Sequence, residues 1–189
     1  MATQYVVLLR GINVGCNNII KMADLKTCLE SAGFKNVATY IQSGNVLLES
    51  PESDPAKLTD TLQRKLSQTF GYDSRLVICS HKQMQHIVAK APKHFADAAY
   101  RCDVIFLKDP LTPKEALGNF PLREEVDAVA TGPGVVYFSR VAARAAQSRV
   151  SRIVAMPMYK NMTIRNWNTT QKLLTLMDTR AEVLKTAGK

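Results

Sequence analysis

Three short segments concentrate the side chains and glycines that could hold or act on a ligand. The first is Arg10-Gly11-Ile12-Asn13-Val14-Gly15, continuing through Asn17 and Asn18 to Lys21. It falls between an apolar strand and a helix start, where free backbone N–H groups and the helix dipole favour an anion. Glycines at 11 and 15 would let the backbone come close to a ligand. No Gly-Lys-Ser/Thr follows and the Gly-x-Gly-x-x-Gly spacing is missing, so this is neither a P-loop nor a dinucleotide fingerprint. The second segment is Gln42-Ser43-Gly44-Asn45, whose amide and hydroxyl groups suit a ligand but equally suit a tight hairpin turn. The third, Thr163 to Thr169, carries Arg165, Asn166, Trp167 and Asn168 at a helix start. An arginine and a tryptophan there could grip a phosphate and stack on a base. The same residues could instead bury Trp167 in the core, snorkel Arg165 and use Asn168 as an N-cap.

The three segments contain no carboxylate, which removes paired general acids and bases and Mg²⁺ ligands. His81, His86 and His94 lie outside all three, and His81 and His86, five apart, do not share a helical face as a metal pair would. Cys16, beside Gly15 and near Lys21, could carry a lowered pKa. The four cysteines (Cys16, Cys28, Cys79, Cys102) lie far apart, without the paired spacing of a disulfide framework or a zinc knuckle. No metal and no cofactor is implied. Glu124, Glu125 and Asp127 read as a solvated turn.

The elements that must position these segments repeat. Tyr5–Leu9 is a strand, Met22–Ala32 a helix with Leu25 and Leu29 four apart, and Val37–Ile41 and Val46–Glu49 a hairpin around Gln42–Asn45. Asp54-Pro55 caps a helix carrying Leu58, Leu62, Leu66 and Phe70, and Arg75–Cys79 is a strand. A linking helix follows, with Ser80 and Gln83 as its capping box and Pro92 as its stop. The pattern then restarts with a strand at Asp103–Lys108 and a Thr112/Glu115 capping box. A hairpin follows, Asp127–Ala130 with Val135–Ser139, then a helix predicted over 148–158 and a strand at Thr163–Arg165. A last helix is capped by Asn168–Gln171, and the tail after Thr179 is expected to fray. Each half is thus βαββαβ, the split-βαβ unit. Both opening strands are apolar at successive positions and should be covered on both faces, the second by the other half of the chain. The expected fold is α+β: duplicated ferredoxin-like halves packed together, plus a linking and a C-terminal helix. The expected divisions are 1–80, 81–101 and 102–189.

At 189 residues, 46% hydrophobic and 22% charged, the composition is that of a globular chain with a sizeable core. The absence of any apolar run near 18 residues and of a basic leader leads to a soluble, cytoplasmic protein without a membrane partner. Net charge is +9, and from Ala128 to Met177 there is no acid. Arg140, Arg144, Arg149, Arg152, Lys160, Arg165 and Lys172 fall in that stretch. Either they form an electrostatic footprint for a phosphate-bearing partner, or they are spread over several faces and solvate them. Sheet edges could pair with another copy, but nothing in the sequence fixes an oligomeric state.

The order and spacing of Leu8-Leu9-Arg10-Gly-Ile-Asn-Val-Gly15, Thr39-Tyr-Ile-Gln-Ser-Gly-Asn45 and Arg165-Asn-Trp-Asn-Thr169 resemble a large, mainly bacterial family, domain of unknown function 1697. The resemblance runs from about Gln4 to Met177. It implies a duplicated α+β fold with ferredoxin-like halves and brings no established reaction. Family members usually carry a second glycine where this chain has Cys16, so Cys16 is not implied as a shared nucleophile. Three readings stand. Arg10, Gly11, Asn13, Gly15, Gln42, Ser43, Asn45, Arg165, Asn166, Trp167 and Asn168 bind a nucleic acid or a nucleotide. Alternatively they form an enzyme site for a small anionic substrate, working by positioning and electrostatics. In the third reading they lock the fold together through buried hydrogen bonds.

Overall fold

A computed structural model of the chain describes residues 2–15 and 18–187. Cys16 and Asn17, both singled out above, lie outside the described residues. The elements are β1 (Thr3–Arg10), α1 (Met22–Ser31), β2 (Lys35–Tyr40), β3 (Asn45–Ser50), α2 (Pro55–Phe70), β4 (Arg75–Ser80) and α3 (His81–Ala89). They continue with β5 (Tyr100–Leu107), α4 (Pro113–Leu117), β6 (Asp127–Gly132), β7 (Val135–Val141), β8 (Met162–Asn166) and α5 (Trp167–Ala187). The strands form two four-stranded antiparallel sheets of the same topology, β2-β3-β1-β4 and β6-β7-β5-β8. This is the split-βαβ order, present twice. The chain divides into two compact units, Met1–Met84 with Leu173–Lys189, and Gln85–Lys172.

In the first unit, side-chain alternation sorts β1 into two faces. Tyr5, Val7 and Leu9 join Leu25 and Leu29 of α1 and Leu58, Leu62 and Leu66 of α2 in one core. Val6, Leu8, Leu47, Val77 and Cys79 point the other way and are also buried, so both faces of the sheet are covered. Asp54 caps α2 by accepting from the N–H groups of Ala56 and Lys57, and Pro55 occupies the first turn where its missing N–H does no harm. Ser80 and Gln83 exchange the hydrogen bonds of a capping box at the start of α3. The last helix does not fray after Thr179. It runs to Ala187, held by buried Met177 and by Arg180, which donates to the carbonyl of Asn36 at 2.8 Å.

The second unit keeps the strands and the Thr112/Glu115 capping box but not the second helix. The helix predicted over 148–158 is replaced by 3₁₀ segments at Ala142–Gln147, Val150–Ala155 and Pro157–Asn161. The reason is legible in the spacing. Val150, Ile153, Met156 and Tyr159 recur every third residue and all pack into the core with Ile105, Val136 and Phe138. A repeat of three eclipses side chains on one side of a 3₁₀ turn, whereas an α-helix would rotate them off the core. At the end of this unit α5 starts at Trp167, one residue before the expected cap. Asn166 is the cap, its Oδ1 accepting from the Thr169 N–H at 2.7 Å.

Candidate functional site

The connection from β1 to α1 is braced by asparagine. Asn13, in the left-handed region at φ 54°, donates through Nδ2 to the carbonyls of Ile20 (3.0 Å) and Gln42 (2.8 Å). Its Oδ1 accepts from the Ile20 N–H at 2.8 Å. Asn18 donates to the Gly11 carbonyl at 2.9 Å, and the Asn13 N–H returns to the Asn18 carbonyl. Ile12 and Ile20 are buried and anchor the loop to the core. The described part of the loop is therefore tied to the 41–44 turn by the Asn13 amide nitrogen, while the Asn13 oxygen closes the loop on Ile20.

Between loop and turn lies an open depression of about 430 Å³ lined by Asn13, Ile19, Ile20, Lys21, Met22 and Gln42. It sits at the start of α1, whose N-terminus no side chain caps. Such a turn presents N–H groups and the positive end of a dipole, and exposed Lys21 adds a full charge. Ile19 in this lining is an exposed large hydrophobic residue, as are Val14 and Ile41, the chain neighbours of Asn13 and Gln42. Ile41 is strained as well: a β-branched residue at φ 48° is a backbone outlier. These exposed apolar residues and the Ile41 conformation escaped the sequence reading. An Ile in the first position after a strand gives no signal of left-handed backbone.

The other expected residues of this unit take different places. Gly44 is buried at φ 75°, and a Cβ on it would lie 2.8 Å from Leu9 Cβ and 2.9 Å from Ile12 Cδ1. Asn45 is fully buried and donates to the Tyr40 carbonyl and to Ser43 Oγ. Both hold the turn. Gly11, Gly15 and Gln42 are exposed, and a Cβ at either glycine would meet nothing within 4 Å. Arg10 is half-buried. It alternates with Leu9, so its side chain leaves on the face opposite the helices, directly across from Arg75 of β4. The structure thus brings Asn13 and Gln42 to the depression, leaves Gly11 and Gly15 outside its lining and leads Arg10 away from it.

In the second unit Arg165 lies on β8 opposite Val104 and is buried. Its Nη1 donates to Thr163 Oγ1 and to the Ile164 carbonyl, both at 2.8 Å. Burial lowers its pKa to about 10, so it remains charged at neutral pH. Trp167 is half-buried and meets Phe95 edge to face at 5.2 Å, while Asn168 is exposed. Of the acid-free stretch, Arg140 is ion-paired with Asp103 and Arg144 with Glu125. With Arg165 buried, three of the seven cations do not stand free at the surface. Two thiols are held in the protonated form by their environment: burial pushes Cys79 up to about 12 and, with Asp103 adding to it, Cys102 up to about 11. Among the described residues no group of three His, Cys, Asp or Glu side chains could hold a metal ion, and no helix is long and apolar enough to cross a membrane.

The conserved bacterial protein SP0830 from Streptococcus pneumoniae, whose structure is solved, superposes with a TM-score of 0.82 at 24% identity. The match covers 93% of this chain and 98% of that one, and at this identity it speaks for the fold. None of the curated proteins matches the chain. The family model described as protein of unknown function (DUF1697) matches residues 2–137, which include the first two of the three segments. The chain belongs to the DUF1697 family.

Proposed function

We propose that the protein binds a small phosphate-bearing ligand of the nucleotide class in the depression between the 11–21 loop and the 41–44 turn. The observation that carries this reading is the difference between the two halves of one fold. The connection from the first strand to the first helix takes eleven residues in one half (11–21) and five in the other (108–112). Five therefore suffice to make the turn, and in the longer connection Asn13 and Asn18 brace the described part of the loop beside open space. Lys21 and the first turn of α1 favour an anionic group. The lining of Ile19 and Met22 would take a flat or apolar part of the same molecule. Gly11 and Gly15 lie outside the lining, and Asn13 acts as a positioning residue.

Binding is favoured over catalysis because the described lining residues include no carboxylate, histidine or cysteine to move a proton. A small ligand is favoured over nucleic acid because the acid-free cations are partly paired and buried. Isothermal titration with AMP, ATP and inorganic phosphate tests the reading, in the wild type and in Lys21→Glu. Loss of one charge-assisted contact of about 1.5–3 kcal/mol corresponds to roughly 10–100-fold weaker binding. Lys21 is exposed, so the variant should keep its far-ultraviolet dichroism. Absence of binding for all three probes, or equal binding in the variant, overturns the proposal. Binding of a single-stranded oligonucleotide but of no mononucleotide would overturn the small-ligand reading in favour of nucleic acid.

A further inference from the structure

A second set of donors lies in the second unit, away from all three sequence segments. Arg101 of β5 and Arg140 of β7 stand directly opposite each other in the antiparallel register, so their side chains leave on the same face. Like charges placed that way oppose strand pairing. Asp103, two residues along on the same face, ion-pairs with Arg140 and neutralises one of the two. Arg101 is exposed, and its guanidinium has neither a hydrogen bond nor an ion pair among the described residues. In front of the pair is an open groove of about 510 Å³. Alanines of the 142–147 segment form much of its lining, and Ser148 and Ser151 line it too. Ser148 Oγ accepts from the Val150 N–H and keeps its own O–H to donate. The Ser151 hydroxyl is exposed and has no partner among the described residues.

We propose that this groove is an anion site for a phosphate group, with Arg101 as its principal ligand. The guanidinium fork matches two phosphate oxygens at once. Arg140, neutralised and held in place by Asp103, forms part of the groove wall and leaves Arg101 as its uncompensated charge. The serine hydroxyls donate from other parts of the lining, an arrangement that suits a tetrahedral anion over a planar carboxylate. Short alanine side chains leave the space such a group needs. The site is independent of the depression beside α1, since it shares no residue with it. The phosphate could belong to a compact molecule or to a nucleic-acid strand, and the chemistry of recognition is the same.

The full chain would be titrated with inorganic pyrophosphate and with a fluorescein-labelled, twelve-nucleotide single-stranded oligonucleotide. The variants are Arg101→Glu, Ser151→Glu and, as a charge-matched control on α2, Arg64→Glu, at a residue that is exposed and has no partner among the described residues. Arg101→Glu and Ser151→Glu should each weaken binding at least about ten-fold, and Arg64→Glu less than about three-fold. Saturation by pyrophosphate assigns a compact anion, and saturation by the oligonucleotide alone assigns a phosphodiester. An equal loss in all three variants, or binding of neither probe at low salt, overturns the site. Because the first two variants place an acid on different parts of the groove lining, failure of one to fold leaves the other to decide.

Discussion

Replacing Gly44 by alanine separates the structural part of the 41–44 turn from any part it has in binding. The new methyl would sit 2.8 Å from Leu9 Cβ and 2.9 Å from Ile12 Cδ1. Leu9 Cβ is fixed to a central strand whose N–H already donates to the Gly44 carbonyl at 2.8 Å, so it cannot swing away. Overpacking of this kind costs about 1–3 kcal/mol. Alanine at φ 75° adds about 1–2 kcal/mol. The lower entropy of the unfolded alanine chain returns about 0.4–1 kcal/mol. The net is roughly 1–5 kcal/mol, which at about 2–4 °C per kcal/mol lowers the melting temperature by roughly 2–20 °C. Gly15 provides the comparison. Its φ is 58° but its Cβ position is open, so Gly15→Ala carries the backbone term alone and should lower the melting temperature by at most about 6 °C. Circular-dichroism melts of the two variants under one buffer measure the difference. If Gly44→Ala melts within about 1 °C of Gly15→Ala, the Leu9 and Ile12 contacts are not rigid and the turn is not locked as described.

Asn166→Ala should destabilise the protein by about 1 kcal/mol, because it removes the cap on the Thr169 N–H. Asn168→Ala, at an exposed position inside α5, should change stability by no more than about 0.5 kcal/mol; urea melts of the pair decide which asparagine is the cap. Cys79 and Cys102, with thiol pKa values raised to about 12 and about 11, are protonated and buried at pH 8. Iodoacetamide should leave both unlabelled in the native protein and label both in guanidinium, as peptide mass spectrometry would show.

How far the fold could be read depended on whether a residue's spacing named its partner. Leu58, Leu62 and Leu66 four apart, and Asp54 ahead of Pro55, specify a helix and its buried stripe without reference to anything else. The same holds for Thr112 and Glu115. The 148–158 segment failed because Val150, Ile153 and Met156, three apart, also fit the loose i, i+3, i+4 template of an α-helix. Val154 even supplies Val150 with a partner at i+4, and only the continuation of the three-residue repeat to Tyr159 marks the tighter spiral. For the site, the difficulty was that one chemistry serves two purposes. Asn13, Gly44 and Asn45 have the residue types of a ligand site, yet each is occupied by the backbone of its own turn. Arg10 and Arg165 were legible as cations, but the face each would take depended on strand alternation and register. Arg101 was invisible as a candidate because its significance lies in the residue opposite it, thirty-nine positions along the chain.

The duplicated fold supplies its own measure of what the loop beside α1 is for. Leu9 and Leu107 occupy matching places, each donating its N–H to a turn glycine, Gly44 and Gly134. Between matching strands the first half has a four-residue turn, 41–44, where the second has two residues, 133–134. Both enlargements, the turn and the six extra residues of the 11–21 loop, are joined by the Asn13 bond to Gln42. Nine residues of that loop are described, four more than the shorter connection has, and ordering four residues costs on the order of 4–8 kcal/mol of backbone entropy. Burying Ile12 and Ile20 returns about 3–6 kcal/mol, and the four asparagine side-chain hydrogen bonds return about 4 kcal/mol. The sums cancel to within a few kcal/mol. The loop stabilises itself and adds nothing appreciable to the unit that carries it. Stability therefore does not account for its length, and what it does do is hold Lys21 and, through Asn13, Gln42 beside the depression.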